Sequence, residues 1–190
     1  MSGKSTVART TAAQLGSSVI ATDDLGAAAR GVTSPAVAPD LYAMRKGDYR
    51  EYYISHSAEE LLEHAQRSHR ALWPAIESVI HEHATWACSA IIEGWALLPD
   101  LVAKLDLSGV AGVWIEVPES VLEARVRENT AFYAGASNPD LMIKQFTRRS
   151  VEFGRWLRAQ TSAFDLRLVR FSGRENPEEA SSALLGAITA

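Results

Sequence analysis

The chain begins with residue types that can bind phosphate, Ser2-Gly3-Lys4-Ser5-Thr6. They match the second half of the phosphate-loop signature G-x-x-x-x-G-K-[ST]. In that loop backbone N–H groups wrap a phosphate, the lysine reaches the β- and γ-phosphates, and the hydroxyl binds Mg²⁺. So short a match recurs by chance in many proteins. Two interpretations therefore stay open, a nucleotide site and an ordinary helix start.

Acidic residues end two of the predicted strands. Asp23 and Asp24 follow an apolar run at 18–22, and Glu93 ends another at 89–93. A carboxylate at this edge of a parallel sheet can orient a substrate hydroxyl, accept its proton or hold Mg²⁺ through water. We expect Asp23 to be functional and Asp24 to cap the next helix. Glu93 is a candidate for Mg²⁺ or substrate, with a solvated acid as the alternative.

Arginines that could stabilise a transferring phosphoryl group lie further along the chain. Arg125 and Arg127 fall on a predicted helix at 119–130, and Arg148 and Arg149 on one at 139–164. Charged helical faces are usually only solvated. Arg127 also has a salt-bridge partner, Glu123, four residues before it.

An irregular, tyrosine-rich segment at about 33–56 interrupts the pattern of strands and helices. Arg45 and Arg50 within it are candidates for substrate binding. The alternative is a packed subdomain whose tyrosines only seal the core.

Four apolar runs predict strands, at 18–22, 89–93, 112–117 and 166–171. Helices are predicted between and after them, at 4–15, 57–86, 119–130, 139–164 and 177–188, with Gly16 ending the first and Pro74 kinking the second. Strands that alternate with helices predict an α/β fold with a parallel sheet flanked by helices.

The length and charge restrict the class of protein. A chain of 190 residues suits one domain, 1–190. A net charge of -4 does not favour nucleic acid or an anionic membrane as a partner. A single cysteine, Cys88, cannot form an internal disulfide, and no apolar run is long enough to span a bilayer. We expect a cytoplasmic protein that acts on small molecules; the sequence does not predict an oligomeric state.

The order GKST, T-D-D, IIEG and VPESVLEARVREN resembles the small P-loop kinases of the nucleoside-monophosphate-kinase-like group. Within that group it is similar to 2-phosphoglycerate kinase-like and gluconate kinase-like proteins, which are commonly described as AAA-family ATPases. The resemblance covers most of the chain. It implies a P-loop NTPase three-layer sandwich with the first strand truncated, a lid at about 128–153, and the cofactors ATP and Mg²⁺.

The resemblance also implies roles for individual residues. Lys4, Asp23 and Arg127 would be catalytic. The nucleotide would contact Ser2, Gly3, Lys4, Ser5, Thr6 and Arg125. The substrate would contact Asp23 and Glu93, and Mg²⁺ would be held through Ser5 and Glu93. The substrate candidates Arg45 and Arg50 lie in the segment at 33–56, which departs from the family pattern and matches none of its substrate specificities.

The function implied is ATP-dependent transfer of a phosphoryl group to a hydroxyl of a small metabolite. Two alternatives remain open. A zeta-toxin-like kinase would act on a nucleotide sugar and inhibit growth when expressed, whereas a non-catalytic regulator would bind ATP without turnover.

The half signature predicts that Met1 is an internal methionine of a longer protein. The first glycine would then lie three codons upstream of Met1, after a short strand rich in Val, Ile or Leu. In-frame translation of the upstream DNA and the intact mass of the native protein test this prediction. An in-frame stop directly upstream, or a native mass that starts at Met1, would contradict it.

Overall fold

The fold is a mixed α/β arrangement that is mostly helical, as seen in a computed structural model that describes residues 2–45, 47–86 and 88–189. The elements follow in the order α1 Lys4–Leu15, β1 Ser18–Ala21, α2 Thr22–Gly31, a 3₁₀ helix Pro39–Tyr42, α3 Tyr49–Ser55, α4 Ala58–Thr85, β2 Ala90–Glu93, α5 Pro99–Val102, β3 Val113–Glu116, α6 Glu119–Glu128, α7 Thr130–Tyr133, α8 Pro139–Ala163, β4 Arg167–Arg170 and α9 Pro177–Thr189. The four predicted strands and five predicted helices are all confirmed, each within a few residues.

Local signals in the sequence explain where the helices begin and end. Gly16 ends α1 in the left-handed conformation, at φ 63°, where its N–H donates to the carbonyl of Ala12. Ser57 and Glu60 form a capping box at the start of α4. This helix is assigned without interruption from Ala58 to Thr85, although Pro74 lies inside it.

The strands form parallel pairs, as predicted, but the described residues do not form one continuous sheet. Strand β1 pairs with β2, and β3 pairs with β4. The registers join Ser18 to Ala90 in the first pair and Val113 to Arg167 in the second. Each of the four strands has one edge without a backbone partner within this part of the chain, so the single parallel sheet that the sequence predicts is seen as two small pairs.

Each strand pair has a hydrophobic cluster of its own. On the side of β1 and β2, buried residues of α4, including Leu72, Trp73 and Ile76, pack with Leu41 and Ala96. On the side of β3 and β4, Val7 of α1 packs with Val117, Phe171 and Ala180. Helix α1 also packs against β1 and β2. It therefore contacts both halves of the fold.

The described residues of the segment at 33–56 pack against neighbouring elements. It contains the 3₁₀ helix and α3, and the hydroxyl of Tyr42 donates hydrogen bonds to the carbonyls of Arg30 and Thr33. Tyr52 is buried, and its hydroxyl lies 2.9 Å from Nδ1 of His64 on α4. Tyr42 and Tyr52 therefore pack this segment against its neighbours.

None of the described helices is long and apolar enough to cross a membrane.

Candidate active site

The candidate site begins at the N-terminus of α1. Gly3 precedes the helix at φ 90°, a backbone conformation that favours glycine, and its carbonyl accepts the N–H groups of Thr6 and Val7 at 3.1 Å each. The first N–H groups of an α-helix have no partner within the helix and carry the positive end of its dipole. The first turn of α1 contains no acidic side chain to neutralise that end. This terminus is therefore suited to an anion such as phosphate.

Lys4 connects this helix end to the end of β2. Its Nζ lies 3.3 Å from Oε2 of Glu93 and donates a hydrogen bond of 3.2 Å to Oγ of Ser5. The approach to Glu93 is close enough for an ion pair but lacks hydrogen-bond geometry, so Oε2 is buried without a hydrogen bond. The two charges attract each other all the same, because charge attraction depends little on angle.

The ends of β1 and β2 meet closely behind Lys4. Gly94 has φ 154°, and a Cβ atom built there would lie 1.6 Å from Oγ1 of Thr22. Only glycine fits between these strand ends. Thr22 is buried, and its Oγ1 has no hydrogen-bond partner among the described residues.

Helix α2 begins at Thr22, one turn earlier than the sequence suggests. Ala21 is its N-cap residue, so the prediction that Asp24 caps this helix is wrong. Asp23 and Asp24 both lie in the first turn, because the strand leads into the helix without a connecting loop. Asp23 lines a cavity described below.

Two cavities open at the start of α1. One, of about 440 Å³, is lined by residues 2–7 together with Val117, Arg125, Phe171, Gly173 and Asn176, among others. The other, of about 640 Å³, is lined by Ser2, Lys4, Asp23, Tyr53, Trp95, Glu116, Phe146, Arg149 and Phe153, among others. Both volumes fall in the range of small-molecule sites.

Ser2 and Lys4 line both cavities, as do Val117 and Phe171. A ligand in either cavity would therefore reach the start of α1. Arg125, a predicted nucleotide contact, lines the first cavity; its guanidinium would lie 3.4 Å from a Cβ on Gly3. Asp23, the predicted hydroxyl contact, lines the second.

Four other predicted site residues line neither cavity: Glu93, which contacts Lys4, and the arginines Arg45, Arg50 and Arg127. Arg127 is about half exposed and pairs with Glu123 at 3.0 Å and with Asp140 at 3.8 Å. Arg50 pairs with Asp48 at 3.3 Å. Neither of these arginines nor Arg45 lines the two cavities.

The chemistry of Ser5 and Glu93 fits Mg²⁺. No group of three or more His, Cys, Asp or Glu side chains within the described ranges is arranged to hold a metal ion. Mg²⁺ in phosphoryl-transfer sites needs no such group, because it binds through one or two carboxylates, phosphates and water. The hydroxyl of Ser5 and the unsatisfied Oε2 of Glu93 lie 3.2 and 3.3 Å from Nζ of Lys4. They could serve as one protein ligand and one partner of the ion's water shell.

Sequence reasoning missed the aromatic wall of the second cavity. Tyr53, Trp95 and Phe146 surround the guanidinium of Arg149, which lies 4.5 Å from the centre of the Trp95 ring. For Arg149 the sequence instead favours a position on a solvated helical face. The one available signal was Trp95, which stands two residues after the strand-end acid Glu93.

Comparison of the chain with protein-family models, with curated proteins and with solved structures found no match.

His69 lies behind this wall. It is buried, its ring is 4.2 Å from that of Trp95, and both of its nitrogens lack hydrogen-bond partners among the described residues. Burial, together with the positive charge of Arg149, lowers the pKa of His69 to about 3. The imidazole is therefore neutral at pH 7.

We predict that His69 makes the protein less stable in acid. An unfolded histidine takes up a proton near pH 6.5, whereas folded His69 does not until about pH 3, so stability falls as the pH drops between these values. Between pH 7 and pH 5 the loss should be about 2 kcal/mol. Urea unfolding at both pH values measures it. His69→Leu should remove this loss, whereas His81→Gln, at an exposed histidine of the same helix, should retain it. An equal loss in wild type and His69→Leu would contradict the prediction.

Proposed function

We propose that the protein is an ATP-dependent kinase that transfers the γ-phosphoryl group to a hydroxyl of a small metabolite. The observation that carries this proposal is the meeting of two cavities at Ser2 and Lys4. A phosphoryl transfer needs two small molecules whose reacting atoms meet beside a phosphate-binding group. The start of α1 offers such a group, with one cavity on each side for the two substrates.

The first cavity suits the nucleotide. It contains the start of α1 with Lys4, and it contains Arg125. The phosphates would therefore be bound by backbone N–H groups and by these two cationic side chains. Apolar contacts for the rest of the nucleotide are available from Val117 and Phe171. In this assignment the nucleotide would contact residues 2–6, as the sequence predicts.

The second cavity suits the acceptor, with Asp23 as the predicted base. The acceptor hydroxyl would attack the γ-phosphorus, its proton would pass to Asp23, and the bond from the γ-phosphorus to the bridging oxygen would break to release ADP. Lys4 and Arg125 would stabilise the charge on the phosphates. Mg²⁺, held through Ser5 and Glu93, would supply further charge neutralisation. Arg127 pairs with acids outside both cavities, so its catalytic role remains a prediction without support from this geometry.

The ends of the strand pairs support the proposal that the fold is that of a P-loop NTPase. Within the described residues β2 pairs only with β1, and β3 only with β4. Gly3 and Lys4 lie near the ends of β2 and β3, since Lys4 contacts Glu93, the last residue of β2, and shares a cavity with Val117, which follows β3. Parallel strands whose ends meet a Gly-Lys-Ser helix start are the arrangement that a P-loop fold requires.

We predict that Lys4→Ala abolishes ATP binding or phosphoryl transfer, because it removes the charge that meets the β- and γ-phosphates. Isothermal titration with ATP and a transfer assay measure the two effects. Arg9→Ala, at an exposed cation on the same helix, is the matched control and should leave both unchanged. Unchanged ATP affinity and turnover in Lys4→Ala would exclude the proposed phosphate site. ATP binding without turnover on any acceptor would favour the non-catalytic alternative.

We predict a different effect for Asp23→Asn, which keeps the shape of the side chain and removes its charge. Acceptor-dependent turnover should fall about a hundredfold or more, the scale of general-base catalysis, while ATP affinity stays within a few fold. Asp24→Asn is the matched control, since it changes the neighbouring acid of the same helical turn. If Asp24→Asn lowers turnover and Asp23→Asn does not, the catalytic role belongs to Asp24.

A further inference from the structure

Arg149 of α8 is a buried cation on the wall of the second cavity. Only 6% of the surface of this residue is exposed, and it lines that cavity. A buried charge is costly unless an opposite charge or good hydrogen bonds compensate it. Within the described part of the chain, however, no carboxylate forms an ion pair with Arg149. Among these residues its guanidinium donates one hydrogen bond, to the hydroxyl of Tyr53 at 3.1 Å.

The other arginines near this cavity differ in this respect. Arg158 and Arg170 both pair with Glu116, at 2.8 and 3.0 Å. Arg155 pairs with Glu152 at 2.6 Å. Arg148, the neighbour of Arg149 in sequence, is exposed and pairs with Glu59 at 2.6 Å. The protein thus provides acids for the more exposed guanidiniums and none for the buried one.

Aromatic rings hold Arg149 in place without neutralising it. Its guanidinium lies 4.5 Å from the ring centre of Trp95, 4.7 Å from that of Phe146 and 5.8 Å from that of Tyr53. Stacking on the faces of a guanidinium leaves the N–H groups at its edge available for hydrogen bonds in the plane. His69, whose ring contacts Trp95, is neutral at pH 7 and does not compensate the charge of Arg149.

We propose that the second cavity binds a small molecule through an anionic group, a carboxylate or a phosphate ester, held by Arg149. Arginine recognises both groups through paired hydrogen bonds from its planar fork. Asp23 and Lys4 line the same cavity. If the proposed function holds, on which this step rests, the bound molecule is the phosphoryl acceptor. The acceptor is then a hydroxylated acid or a phosphorylated alcohol rather than a neutral sugar.

Anion binding can be measured apart from catalysis. The titrations use Lys4→Ala protein to weaken phosphate binding at the start of α1, and the comparison of each Arg149 variant with Arg149 in that background isolates the second cavity. Inorganic phosphate, lactate and the neutral lactamide are the probes, and calorimetry together with tryptophan fluorescence gives the affinities. Arg149→Met removes the charge, Arg149→Lys keeps it without the fork, and Arg148→Met is the matched control. Circular dichroism and urea unfolding check that each variant is folded.

We expect phosphate or lactate to bind saturably and lactamide not to bind. Arg149→Met should weaken anion binding about tenfold to hundredfold, as expected for loss of a charge-assisted contact. Arg149→Lys should weaken it less, and Arg148→Met should change it by less than twofold. The stronger of the two anions identifies the acceptor's group. Binding of neither anion, or equal binding in Arg149→Met, would overturn the proposal; if Arg149→Met does not fold, unchanged binding in Arg149→Lys would do so.

A kinase assay on protein with Lys4 intact separates this proposal from the proposed function. Arg149→Met should raise the KM for an anionic acceptor at least tenfold and leave the KM for ATP unchanged. Turnover of neutral alcohols alone, with no effect of Arg149→Met, would overturn the anion site and leave the kinase. Anion binding through Arg149 without turnover of any acceptor would retain the anion site and contradict the kinase.

Discussion

Helix α1 connects two strand pairs that share no backbone hydrogen bond within the described residues, because it packs against β1 and β2 and also against the cluster that follows β3 and β4. Val7 contributes to the cluster with Val117 and Phe171, which follow β3 and β4. Buried hydroxyl contacts, Thr11 to Ser181 at 2.9 Å and Ser181 to Gln14 at 2.7 Å, attach α1 to α9. The ion pair of Lys4 with Glu93 attaches its first turn to the end of β2. Movement of α1 would therefore alter both cavities together.

The polar groups around this helix end are incompletely satisfied. Glu93 and Thr22 each have a buried oxygen without a hydrogen bond, and Arg149 has a buried charge without an acid. Native proteins leave few such groups, and where they cluster a ligand is a physical reason for them. Arg149 lines the second cavity, Glu93 contacts Lys4 of the same lining, and Thr22 immediately precedes the lining residue Asp23. Stability alone does not account for this pattern, because each group would cost less if it were apolar or paired.

Much of the fold could be predicted from local signals. The apolar runs marked the four strands, and capping residues such as Ser57 and Gly16 marked helix ends, because these signals act within a few residues of the backbone they control. The pairing of strands could be predicted only in part. Parallel pairs followed from alternation with helices, but which strand edges stay unpaired depends on contacts between segments far apart in sequence.

The site residues, like the fold, could be predicted from the sequence only in part. The sequence by itself determined that a phosphate-suited helix start at Gly3 and Lys4 would be followed by strand-end acids at Asp23 and Glu93, since residue type and position along a strand suffice for that inference. Only the tertiary structure decided which arginines face the cavities. Arg148 and Arg149 are adjacent, but successive residues of a helix point about 100° apart, so one is solvated and the other is buried against Trp95. Arg125 and Arg127 separate similarly, one toward Gly3 and the other toward Glu123. The direction of a helical face is set by what packs against it, and that information is not local.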